Sequence, residues 1–239
     1  MDRALLVITV LSTPLSRLYF WSIVYFHAQM VYNKCVKVRW VIMSKFETLD
    51  LLLQKNNGFI KTSDVVHAGI SKTYFGEYVS NRGLKRVTHG LYMSQDAWDD
   101  GMYVIQVRYP GAVLSHETAL YLLNLAEREP TQYAVTLNAG KNSTGLVKSG
   151  VKVYKVKEEL FSEGIIEARS PSGNTLRTYN PERTICDLVR SRRNIEAQEL
   201  QSAIKEYVRL KDKNVPLLMR FSKAFSVEKI IRQYLEVLL

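Results

Sequence analysis

The sequence predicts an α+β fold in two parts: a small N-terminal domain of short helices closed by a hairpin, then a larger mixed α/β domain with a helical C-terminus. Three observations predict it. Apolar residues recur at helical spacing in short capped segments between residues 44 and 83. Runs of alternating apolar residues then appear as far as residue 179. Helical spacing returns after Asn180 and holds to the end of the chain. The 239 residues, 46% of them apolar, suffice for one large domain or two modest ones. Six Pro and twelve Gly exclude a collagenous or low-complexity protein.

Residues 1–42 differ from the rest. They hold one acid, Asp2, five bases and many large apolar residues. Their uncharged runs, Ala4 to Ser16 and Leu18 to Asn33, fall short of a bilayer span. No A-x-A cleavage site follows the short run after Arg3, which speaks against a secretory signal. Met43 opens MSKFETLDLLLQKN, which reads as an ordinary cytosolic start, so the leader is expected to be a start-site artefact. A membrane-associating leader and a folded extra element are the alternatives.

Residues 43–94 read as the small domain. Ser44 with Glu47 forms a capping-box pattern, and Phe46, Leu49, Leu52 and Leu53 mark the first helix. Asn56-Asn57-Gly58 ends it. Thr62 or Ser63 can cap a second helix that buries Val65 and Val66, and Gly69 breaks it. Ser71 caps a third, with Phe75, Tyr78 and Val79 on one face, Lys72, Thr73, Glu77 and Asn81 on the other and Tyr74 between. Leu84, Val87, Leu91 and Tyr92 then read as two strands turning at Thr88, His89 and Gly90. Helices, a Gly-containing turn, an outward-facing helix and a hairpin together make a winged helix-turn-helix.

Charge points the same way. Lys and Arg total 33 against 23 Asp and Glu, a net of +10, which favours a polyanionic partner. Residues 43–94 carry seven bases and four acids, a net of +3. The candidate DNA contacts are Ser71, Lys72, Thr73, Tyr74, Asn81 and Arg82 on the third helix, and Lys85, Arg86, Thr88 and His89 on the wing. Bases there supply charge for phosphates, while Asn81 and Lys72 can read base edges. Winged helices also bind proteins, so an interaction module is the alternative.

The run GISKTYFGEYVSNRGLKRVTHGLY resembles the N-terminal winged helix of the AbiEi antitoxins of type IV, abortive-infection toxin–antitoxin systems. The family's pattern falls on Gly69-Ile70-Ser71, Gly83, Arg86-Val87 and Gly90-Leu91-Tyr92. Gly83 and Gly90 suit positive φ, and Tyr92 can pack back on the helices.

Residues 95–239 form the larger domain. SQDAWDDG reads as a linker or the start of a connecting helix. A helix runs from Met102 to Tyr109, stopped by Pro110-Gly111. Ser115 caps another, with Thr118 in its first turn and Ala119, Leu122, Leu123 and Leu125 as its buried stripe. Strands are expected at Gln132–Asn138, Val151–Val156, Ile165–Ala168 and Leu176–Tyr179, with 141–150 a basic loop. Asn180-Pro181 starts a helix, and the helical C-terminus breaks near Asn214-Pro216. SHETAL, from Ser115, and NPERTICDLVR, from Asn180, resemble two further helix starts of the same family, so the likeness spans Met43 to Leu239.

No catalytic constellation is legible. His116 and Glu117 are adjacent and do not make a metal pair, so His116 is expected to hydrogen-bond within the domain. Arg183 and Asp187 have salt-bridge spacing, though in the less favourable order, so either can bind another element instead. A nuclease would have to use Glu167, Asp187 and Lys155, for which the spacing offers no support. GKNSTG lacks P-loop spacing. Cys35 and Cys186 form no CxxC pair, and Cys186 reads as buried filler in a reducing compartment. The expectation is a cytoplasmic protein that is not an enzyme and has no cofactor and no metal. The resemblance implies an autorepressor that binds an inverted repeat in its own promoter DNA, with a C-terminal domain that opposes a nucleotidyltransferase-like toxin without a required complex; a transcriptional regulator without a toxin partner is the alternative.

Overall fold

The computed structural model describes residues 44–238, so the readings of the leader and of Met43 as a start lie outside the described residues. The chain divides into two units, residues 1–52 and 53–239. Of the first, the structure describes the opening turns of helix α1 (Lys45–Lys55). The capping box is closed in both directions: the Glu47 amide donates to Ser44 Oγ at 3.2 Å, and the Ser44 amide to Glu47 Oε2 at 2.8 Å.

Residues 53–239 hold a three-stranded and a five-stranded sheet with helices around them, an α+β architecture. Asn57 and Gly58 leave α1 at φ 52° and 83°. There follow β1 (Phe59–Lys61), α2 (Thr62–His67), α3 (Lys72–Arg82), β2 (Lys85–Thr88) and β3 (Leu91–Met93). β3 is the middle strand, antiparallel to both neighbours. Strand alternation sends its residues two ways. Leu91 and Met93 join Phe59 in a core that continues through Met102, Tyr103, Leu114 and Leu176. Tyr92 meets Phe75 of α3 edge-on, with ring centres 5.2 Å apart.

Helix α2 departs from expectation. Neither Thr62 nor Ser63 caps it; Lys61 occupies the cap position without a side-chain bond, and the Thr62 amide donates to Gly90 O at 2.8 Å. That bond fastens the tip of the hairpin to the helix start. Val65 is buried, but Val66 is exposed, because six residues offer one narrow apolar face.

The segment after β3 is tied down by a buried carboxylate. Asp100 Oδ1 accepts from the Tyr103 amide and so caps α4 (Gly101–Arg108). Its Oδ2 accepts from Ser170 Oγ and from Asn174 Nδ2, and Asn174 Oδ1 accepts from Asn57 Nδ2 at 3.3 Å. One chain of hydrogen bonds thus joins the turn after α1, the start of α4 and the 170–174 turn.

Then come β4 (Val113–Leu114), α5 (His116–Leu122), β5 (Ala134–Asn138), α6 (Thr144–Lys148), β6 (Lys152–Val156), α7 (Glu158–Phe161), β7 (Ile165–Arg169), β8 (Thr175–Tyr179) and α8 (Pro181–Arg190). The four expected strands form, in the order β6-β5-β4-β8-β7 with β4 at the centre. β4 is antiparallel to β5 and parallel to β8. Two residues show no alternation, so pairing on both sides defines this strand. The expected loop 141–150 contains α6: Asn142 Oδ1 accepts from the Thr144 amide, and buried Leu146 anchors the turn in the core. Ser115 does not cap α5. Its Oγ meets His116 Nδ1 instead, and Thr118 Oγ1 accepts from the Ala134 amide, binding α5 to β5.

Helices α9 (Ala197–Arg209), α10 (Val215–Ala224) and α11 (Glu228–Leu238) complete the chain. Asn214 marks the expected break and caps α10 through the Leu217 amide. Helix α8 lies inside this layer: residues 182–189 are all buried, with Ile185, Leu188 and Val189 sharing a core with Leu200, Ile204, Tyr207, Leu218 and Phe221.

Candidate nucleic-acid interface

Ser71 has extended backbone, and its Oγ accepts from the Tyr74 amide at 3.3 Å, fixing where α3 begins. Gly83, at φ 61°, ends the helix. Phe75 and Tyr78 face inward. Ser71, Lys72, Thr73, Asn81 and Arg82 are exposed, while Tyr74 is half-buried. Lys72 and Asn81 stand nine residues apart, about 14 Å along the axis, so the two ends of α3 present separate groups. The strip between them is Thr73, Gly76, Glu77 and Ser80.

Gly76 and Ser80 were absent from the sequence-based candidates. A Cβ at Gly76 would meet nothing within 4 Å, and Ser80 Oγ donates to Gly76 O at 3.2 Å. Glycine in a helix interior costs about 1 kcal/mol against alanine. Among the described residues, no packing requires its small size.

The hairpin gathers three of its four candidates. Arg86 Nη2 lies 3.1 Å from His89 Nδ1, and Arg86 Nε donates to Thr88 O at 3.4 Å, so the guanidinium is folded over its own turn. Gly90, at φ 71°, makes that turn. Lys85 is set apart. It pairs with Met93 while Arg86 pairs with Tyr92, so the two exposed cations project from opposite faces of β2.

The residues a nuclease would need are not brought together. Lys155 lies on β6 and Glu167 on β7, at opposite edges of the five-stranded sheet and about 19 Å apart across four strand spacings. Asp187 is buried in α8. Among the described residues, no group of three His, Cys, Asp or Glu side chains is placed to hold a metal ion. Burial pushes the Cys186 thiol up to about 12, and its Sγ faces Leu218 O.

His116 is held within the domain at φ 51°. Nδ1 lies 3.0 Å from Ser115 Oγ and Nε2 3.0 Å from Ser191 Oγ, and the ring stacks on Tyr154 with centres 3.4 Å apart. Beside it, Lys152 Nζ pairs with Glu117 Oε1 at 2.8 Å. Burial holds the imidazole well below its ordinary range, and Lys152, Arg183 and Arg190 add repulsion. A base with a lowered folded pKa binds fewer protons folded than unfolded, so its contribution to stability is lost as pH falls through the unfolded value near 6.5. His116→Asn keeps a residue that tolerates positive φ. Denaturant melts at pH 7.5 and 5.5 should show a smaller acid-induced loss in this variant than in the parent; an equal loss in both assigns the acid sensitivity to other groups.

Nothing matches the chain among protein-family models, and no curated protein matches it in sequence. A solved structure does: the RV2827C protein from Mycobacterium tuberculosis, 15% identical, with a TM-score of 0.50 over 74% of this chain and 70% of that one. At that identity the likeness concerns the fold. Among the described residues, no helix is long and apolar enough to cross a membrane.

Proposed function

We infer that this chain is a DNA-binding antitoxin and autorepressor of the type IV, AbiEi-like kind. In this reading α1–α3 and the β2–β3 hairpin act as a winged helix: α3 enters the major groove of an inverted repeat in the promoter, and the hairpin meets the backbone. Residues 95–239 oppose a nucleotidyltransferase-like toxin, in the cytoplasm and without enzymatic chemistry. The observation that carries the DNA half is the outward strip of α3, polar with Glu77 as its one long and acidic side chain, flanked by exposed Lys72, Arg82, Lys85 and Arg86. The antitoxin half rests on the likeness of three motifs in order.

The test is binding of the full chain to the DNA upstream of its own gene, beside scrambled duplex, across a salt series. Preferential, salt-sensitive binding to the upstream fragment supports the repressor reading. Equal weak binding to both, or salt-insensitive behaviour, overturns it in favour of a protein-binding winged helix. Rescue of growth when a nucleotidyltransferase-like toxin of a type IV system is co-expressed tests the second half.

Gly76 sharpens the assignment. Gly76→Ala should raise stability by about 1 kcal/mol in chemical denaturation, because the site is open and helical. It should also weaken operator binding, because the added methyl stands between α3 and the base edges. A stabilised variant with undiminished affinity would remove α3 from the groove.

A further inference from the structure

A recess of about 850 Å³ lies between the hairpin tip and α2 on one side and α4 with β7–β8 on the other. Five cationic or ionisable basic side chains line it: Lys61 from β1, His67 from α2, Lys72 from α3, His89 from the hairpin turn and Arg177 from β8. One acid, Glu167, stands among them. Lys61, Lys72 and Arg177 take part in no ion pair among the described residues. Two of these three are held in place by groups that leave their charge intact. The Lys61 ammonium sits 5.2 Å over the ring of Tyr103. Arg177 Nη2 donates to the carbonyls of Pro110 and Ala112. Folding has therefore converged fixed positive charge on a concavity large enough for a nucleotide-sized molecule.

We propose that this recess is a binding site for a small phosphorylated ligand of nucleotide size. Lys61, Lys72 and Arg177 bear on the phosphates, and the recess's remaining walls take the rest of the molecule. A double helix is too wide to enter. It would share with the ligand only the exposed side chains Lys72 and His89, both candidate DNA contacts. Occupancy therefore competes with DNA, a consequence that rests on the DNA-binding reading; the site itself does not.

The experiment is calorimetric titration of ADP into the full chain at low salt, with inorganic phosphate as a second probe. Saturable one-site binding of ADP is expected. Lys61→Gln with Lys72→Gln should weaken it at least tenfold with the thermal midpoint unchanged. Thr175→Glu, an acid placed at an exposed position in the recess wall, should do the same without removing a cation. No saturation, or saturation untouched by both variants, overturns the site. Phosphate binding as tightly as ADP overturns the nucleotide-sized ligand. In a second arm, ADP should raise the apparent Kd for upstream duplex in the parent and not in the Thr175→Glu variant. Variant-sensitive ADP binding by a chain that binds no DNA would leave the site standing and overturn the repressor reading. DNA binding without ADP binding would do the reverse.

Discussion

Arg183→Met is expected to cost about 3–5 kcal/mol at pH 7.5, the range seen when one partner of a buried ion pair is removed. For a chain of this size that is a fall of about 6–20 °C in melting temperature. Arg183 is fully buried, between the rings of Tyr179 and Phe225 at 4.3 and 4.0 Å. Its Nε binds Asp187 Oδ2 at 3.0 Å, and its Nη1 donates to the carbonyls of Leu160 and Glu163. One guanidinium thus closes α7 and the turn before β7 onto α8. Removing it strands the Asp187 carboxylate and frees two carbonyls together.

The pH dependence separates this from simple loss of packing. Burial pushes the Asp187 carboxyl up to about 6, against the pull of Arg183. An acid whose folded pKa is raised binds more protons folded than unfolded, so stability rises as pH falls from the folded value toward the unfolded one. Without Arg183 the folded value climbs further and the window extends upward. The gap between variant and parent should therefore narrow from pH 7.5 to 5.5, measured by urea unfolding. Arg183→Met with Asp187→Leu should recover much of the loss, because a well-packed apolar pair needs no counter-charge. A gap equal at both pH values, with no recovery in the double variant, would mean that the rings and carbonyls carry the whole effect.

Features with local causes were legible in the sequence. Ser44 and Ser71 accept from the amide three residues on, Gly83 and Gly90 take positive φ, and the helical C-terminus breaks at Asn214, each as its own chemistry requires. Features made by distant partners were not. β4 exists because β5 and β8 flank it. The hydroxyl of Ser115 is diverted from capping by a histidine whose ring is stacked on Tyr154. Both readings of the Arg183–Asp187 spacing hold at once: the pair forms within α8, and Arg183 also binds two carbonyls elsewhere. At the candidate interface, side chains could be named but not their directions. Period two in β2 was enough to send Lys85 and Arg86 to opposite faces, yet clustering by charge alone had grouped them. Gly76 left no signal because an open position in a helix is read as a cost until its surroundings are known.

Lys85→Ala with Arg86→Ala is expected to weaken binding to every duplex, upstream or scrambled, by about 60-fold at 0.1 M salt if each side chain neutralises one phosphate. The slope of log K against log salt should fall by about 1.8, since each contact contributes about 0.9. The opposed directions of the two side chains make the single variants informative. A hairpin lying edge-on to the backbone can present both faces of β2, and then the two losses are equal and additive. A hairpin laid flat can present only one, and then one variant accounts for nearly all the loss. Arg86 carries a second role, because its guanidinium holds His89 and the Thr88 carbonyl in the turn. Arg86→Lys keeps the charge and gives up that planar fork. A lysine that restores the salt slope assigns Arg86 to phosphate. A lysine as weak as alanine, with the slope unchanged in both, assigns it to the shape of the turn and leaves Lys85 as the hairpin's contact with DNA.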